Sequence, residues 1–127
     1  SVLVVLGGLP GVGKSAIADE IARRIGAAVV SVDPIEAAIV RSGIRQSFET
    51  GQAAYSVGAT VAKHQLRLGL PVIADAANYL EVGRQFWYSA AAEAGAPIHA
   101  VEIICSDEMD IADGLRADSV LSNHFEN

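Results

Sequence analysis

Apolar residues in this chain follow two rhythms. Predominantly apolar runs occur at Val2 to Leu6, Ala27 to Val32, Pro71 to Ala74 and Ile98 to Cys105. Short runs of this kind, bounded by glycine, proline or polar residues, read as strands covered on both faces. Between them the apolar positions recur every three or four residues. Ile17, Ala18, Ile21, Ala22 and Ile25 predict a helix from Lys14 that stops at Gly26, and residues 35–40 predict a short one. A longer helix is expected over about residues 52–68, with Ala54, Val57, Val61 and Leu68 on one face and Gly69 and Pro71 ending it. A last one opens at Leu80 or Glu81, runs through Phe86, Trp87 and Ala90 to Ala94, and ends at Gly95 and Pro97. Residues 42–51 are polar and carry no period. Strands alternating with helices predict an α/β fold: a mainly parallel sheet with helices on both faces, whose site forms from the loops at the carboxyl ends of the strands.

The first of those loops reads Gly8-Leu9-Pro10-Gly11-Val12-Gly13-Lys14-Ser15. It matches the phosphate-binding pattern G-x-x-x-x-G-K-[ST] at every specified position, between a strand and a helix as that pattern requires. Wrapping a polyphosphate in backbone N–H groups needs residues that turn tightly without obstructing side chains. The helix that follows offers unpaired N–H groups and a dipole that favours an anion. Gly8 through Ala16 are therefore the candidates for binding ATP. Lys14 is suited to reach the β- and γ-phosphates, and the Ser15 hydroxyl to bind Mg²⁺.

If the sheet is parallel, the residues after the other strands should also suit phosphate chemistry. Asp33 follows the second run, Asp75 with Asn78 the third, and Ser106-Asp107 the fourth. Asp75 has the character of a carboxylate that holds Mg²⁺ through water or orients a catalytic water, the alternative being a carboxylate that caps the next loop. Asp33 suits either a general base taking a proton from an acceptor hydroxyl or an outer ligand of the metal; before Pro34 it also suits a simple turn.

Composition narrows the substrate. The 127 residues, 51% hydrophobic, suffice for one domain with a real core. A formal charge of −6 with only two lysines, Lys14 and Lys63, makes nucleic acid a poor partner, because counterion release needs a surplus of basic residues. No apolar run approaches a membrane span and no signal-type segment opens the chain, so no membrane partner and a cytoplasmic location are expected. Cys105 stands alone, which leaves no internal disulfide, and its place in an apolar run suits the core. His64, His99 and His124 are scattered without metal-ligand spacing. Oligomeric state is not encoded in any of these features.

The order GLPGVGKS, VVSVD, a long helix, PVIADAAN and a strand ending in Cys-Ser resembles the P-loop kinase-like group. That group includes zeta-toxin-like proteins, chloramphenicol phosphotransferase-like enzymes, gluconate kinases, polynucleotide kinase domains and small bacterial AAA-family ATPases. The resemblance implies a three-layer P-loop NTPase fold, with Asp33 at the acceptor hydroxyl and Asp75 and Asn78 beside the phosphates or acceptor. It also implies that Arg84, early in the following helix, faces the same cleft. The chain departs from the group after the fourth strand, where a lid carrying arginines gives way to the acidic run Ser106 to Asp113 and Arg116 is the only Lys or Arg beyond Arg84. The last strand and helix of the group are expected to be lacking, as if the domain were truncated or incomplete. The expected function is transfer of the γ-phosphoryl group of Mg-ATP to a hydroxyl of a small molecule, with Arg41, Arg45, Phe48 and Tyr55 lining the acceptor pocket. NTP hydrolysis, a nucleotide-operated switch, or binding without turnover are the alternatives; the missing lid arginines favour the last.

Overall fold

The computed structural model describes residues 1–8, 13–76, 81–103 and 119–122. The chain folds as β1 (Leu3–Gly7), α1 (Lys14–Ile25), β2 (Ala28–Ser31), α2 (Val32–Arg41), α3 (Phe48–Arg67), β3 (Val72–Asp75), α4 (Glu81–Ala94), β4 (Ile98–Ile103) and β5 (Ser119–Ser122). The sheet order is β2-β3-β1-β4-β5. β1 to β4 are parallel, whereas β5 runs antiparallel to β4. That edge strand was not expected from the sequence, because Ser119 to Ser122 is too short a segment to announce itself.

The aliphatic runs are explained by two cores. Successive strand residues point to opposite faces. Leu3, Val5, Val72, Ala74 and Ala100 face one side with Ala54, Ala62, Leu66 and Trp87 of α3 and α4. Leu6, Ile73 and Ile103 face the other with Ile17, Ala18 and Ala22 of α1. β1 and β3 are thus covered on both faces, which leaves little place for polar alternation, whereas β4 keeps an exposed Glu102.

The helices differ from expectation in three instructive ways. α2 begins at Val32, three residues earlier than its apolar period, so Asp33 lies in its first turn rather than in a loop. α3 begins at Phe48 because Ser47 and Thr50 form a reciprocal capping box, with Ser47 Oγ accepting from the Thr50 N–H at 3.2 Å and Thr50 Oγ1 accepting from the Ser47 N–H at 2.9 Å. Its buried face is Thr50, Ala54, Gly58, Ala59, Ala62 and Leu66, while Val57, Val61 and Leu68 are exposed. The small residues win that face because α3 must lie close against the sheet and Trp87. Among the described residues no helix is long and apolar enough to cross a membrane.

Candidate active site

The strand register builds the site. Asp75, the last residue of β3, is paired in register with Leu6 of β1 on one side and Ser31 of β2 on the other. Alternation along the strand puts the Asp75 side chain on the face of Ile73, toward α1. It is 5% exposed.

The amino end of α1 arrives at that carboxylate. Lys14 Nζ lies 3.0 Å from Asp75 Oδ1 and donates to the Ala76 carbonyl at 2.7 Å. Ser15 Oγ donates to Asp75 Oδ2 at 2.9 Å, and Ser31 Oγ donates to the same oxygen at 3.3 Å. One buried carboxylate therefore accepts from an ammonium and two hydroxyls, which compensates the cost of removing its charge from water. The two residues singled out by the phosphate motif and the carboxylate singled out after the third strand are one hydrogen-bonded cluster.

Backbone conformation prepares the loop on either side of its middle. Gly8 has φ +147°, and a Cβ there would stand 2.9 Å from the Ile103 carbonyl oxygen of β4, so only glycine passes this point. Gly13 caps α1 in the left-handed region at φ 81° without a side-chain bond, leaving the helix's first N–H groups without a side-chain cap. Ala16 follows in the first turn, exposed. Leu9, Pro10, Gly11, Val12 and Asn78, together with Cys105, the acidic run 106–113 and Arg116, lie outside the described residues.

A second feature lies along α2. Asp33, Glu36, Ala37, Val40 and Arg41, with Gln46 from the following connection, line an open groove of about 490 Å³. Their spacing puts one helix face on the groove wall. Glu36 is anchored there by the Thr50 hydroxyl at 2.9 Å. Asp33 and Arg41, both expected at the acceptor, thus share a groove whose volume suits a small molecule. Arg45 is exposed in the connection and does not line it; Phe48 is exposed, and Tyr55 instead stacks on Phe86 and tilts against Trp87. Arg84 is half-buried in the first turn of α4. Sequence reasoning missed Glu36, Gln46 and Ser31. For Ser31 a signal existed, a serine at a helix start, but its partner lay 44 residues away.

The family model for the AAA domain matches residues 3–112. The chain belongs to the AAA domain family. No curated protein matches it in sequence. Among solved structures it is similar to a kinase-like protein of Chloroflexus aurantiacus (TM-score 0.69, 15% identity, 80% of this chain and 57% of that one). It is also similar to the APS kinase of Mycobacterium tuberculosis in complex with AMPPNP and APS (0.65, 23%, 90% and 66%) and to a gluconokinase of Sinorhizobium meliloti (0.54, 18%, 89% and 62%). The AAA-family chain therefore has the fold of P-loop kinases, and it spans 57% to 66% of the length of these three.

Proposed function

We infer that this domain of the AAA family binds Mg-ATP and transfers its γ-phosphoryl group to a hydroxyl of a small molecule. The observation that carries the reading is the cluster of Lys14, Ser15 and Asp75 at the carboxyl ends of β1 and β3, with the Asp33 groove beginning two residues beyond Ser31. Similarity to a fold that holds AMPPNP and an acceptor together supports it.

In this reading the loop from Gly8 to Ser15 and the first N–H groups of α1 hold the phosphates. Lys14 leaves Asp75 for the β- and γ-phosphates. Ser15 and Asp75 fit Mg²⁺ because they bring a hydroxyl and a carboxylate oxygen within 2.9 Å of each other, the sparse hard-oxygen set that this ion takes beside phosphates. When bound, Mg²⁺ neutralises phosphate charge. Asp33 takes the proton of the acceptor hydroxyl while the oxygen bonds to the γ-phosphorus and the bond to ADP breaks. Arg41 orients the acceptor, and Arg84 offsets charge on the transferring group.

Asp33→Asn tests the assignment. It should leave Mg-ATP affinity near wild type and lower transfer by roughly 10²–10⁴-fold. Calorimetry and turnover, measured on one preparation against sugars, nucleosides and antibiotics with water as control, separate the outcomes. Equal loss of affinity and turnover would make Asp33 an outer ligand of the metal. No change in either would leave it as an acid at the start of α2, favoured there by the helix dipole.

A further inference from the structure

Ser31 occupies the N-cap position of α2, where a serine side chain ordinarily accepts a hydrogen bond from the N–H of the second or third helical residue. Here it makes no capping bond. Its hydroxyl donates to Asp75 Oδ2 at 3.3 Å, across the β2–β3 register pair Ser31↔Asp75.

We propose that Ser31 is a positioning residue that holds the Asp75 carboxylate in place for Mg²⁺-nucleotide. The inference rests on the nucleotide-binding reading above. In the structure as described, Asp75 accepts from Lys14, Ser15 and Ser31. In the nucleotide-bound state Lys14 goes to the phosphates, while the Ser15 hydroxyl, ligating the metal through its oxygen, can keep its proton on the carboxylate. Ser31 gives Oδ2 a second donor that takes part in neither phosphate nor metal binding, and so limits how far the carboxylate can turn. The same bond ties the amino end of α2, and with it Asp33, to the nucleotide side of the site.

The test is calorimetry of AMPPNP with full-length wild type, Ser31→Ala and Ser31→Thr, each with Mg²⁺ and with EDTA. The expected result is an unchanged affinity in EDTA for Ser31→Ala and a gain on adding Mg²⁺ that is smaller by about tenfold, the low end of what losing an orienting partner of a metal ligand costs. Ser31→Thr, which keeps the hydroxyl, should restore the gain. A wild-type Mg²⁺-dependent gain in Ser31→Ala overturns the proposal, as does an equal loss in EDTA and in Mg²⁺, which would mean a structural role. Wild type that binds no AMPPNP overturns the kinase reading itself.

Discussion

Replacing Lys14 by methionine asks how much the unliganded site depends on its own ion pair. The substitution keeps an apolar stem and removes the charge that stands 3.0 Å from Asp75 Oδ1. Two limits bracket the effect. An exposed pair contributes about 0–1 kcal/mol, whereas breaking a buried one by removing a single partner costs about 3–5 kcal/mol. With side-chain exposures of 11% for Lys14 and 6% for Asp75, the pair belongs near the buried limit. The Ser15 and Ser31 hydroxyls continue to satisfy Oδ2, which places the expected loss at the low end, about 3 kcal/mol. For a domain of this size that is roughly 10 °C in Tm. Urea unfolding of the nucleotide-free protein, with Asp75→Asn and the double variant completing a cycle, measures the pairwise part directly. A loss below about 1 kcal/mol would refute the argument by showing that water screens the pair. Added Mg-ATP should then stabilise wild type and not Lys14→Met, because a ligand that binds only the folded state shifts the unfolding equilibrium by mass action.

Gly58→Ala should lower stability by about 1 kcal/mol, since a helix-propensity gain of about 1 kcal/mol is outweighed by overpacking of about 1–3 kcal/mol. The added Cβ would meet Val30 Cγ1 at 3.1 Å and Trp87 Cη2 at 3.3 Å, and Trp87, fully buried, has nowhere to retreat; an unchanged or raised Tm would show that α3 shifts instead. Glu93→Gln should lower Tm slightly near neutral pH and not at about pH 3. The hydrogen bond from Lys63 holds the Glu93 carboxyl below its ordinary value of 4.5, so its stabilisation is present above that value and lost as pH falls through the lower, folded one. Equal Tm for the two proteins at both pH values would mean that this exposed bridge between α3 and α4 contributes nothing.

The sequence was most informative where a local rule dictates both shape and chemistry. A strand, a glycine loop and Lys14-Ser15 at a helix start match the phosphate-binding pattern, in which residue type, order and flanking elements are all set locally. The strands β1 to β4 were legible because each is a short, predominantly apolar run bounded by helical periods, most continuous in β1 and β3, where burial is greatest. Legibility failed where a local preference met a tertiary demand. Val57, Val61 and Leu68 carry a helical period, yet the close approach of α3 to Trp87 selects Ala54, Gly58 and Ala62 for the interface and leaves the larger residues in solvent. The start of α3 was hidden for a different reason, because the Ser47–Thr50 box replaces the customary acidic partner with a hydroxyl.

By itself, then, the chain determined that it makes an α/β sheet with a loop of the phosphate-binding pattern after the first strand, since hydrophobic period and glycine placement are properties of neighbouring residues. Only the tertiary structure decided which carboxylate meets that loop and what holds it. Asp75 reaches Ser15 across 60 residues, and Ser31 across 44, through a strand register that no local pattern encodes. The groove of Asp33, Glu36, Arg41 and Gln46 arose the same way, from a helix that starts three residues earlier than its apolar period because Val32 is drawn into the core.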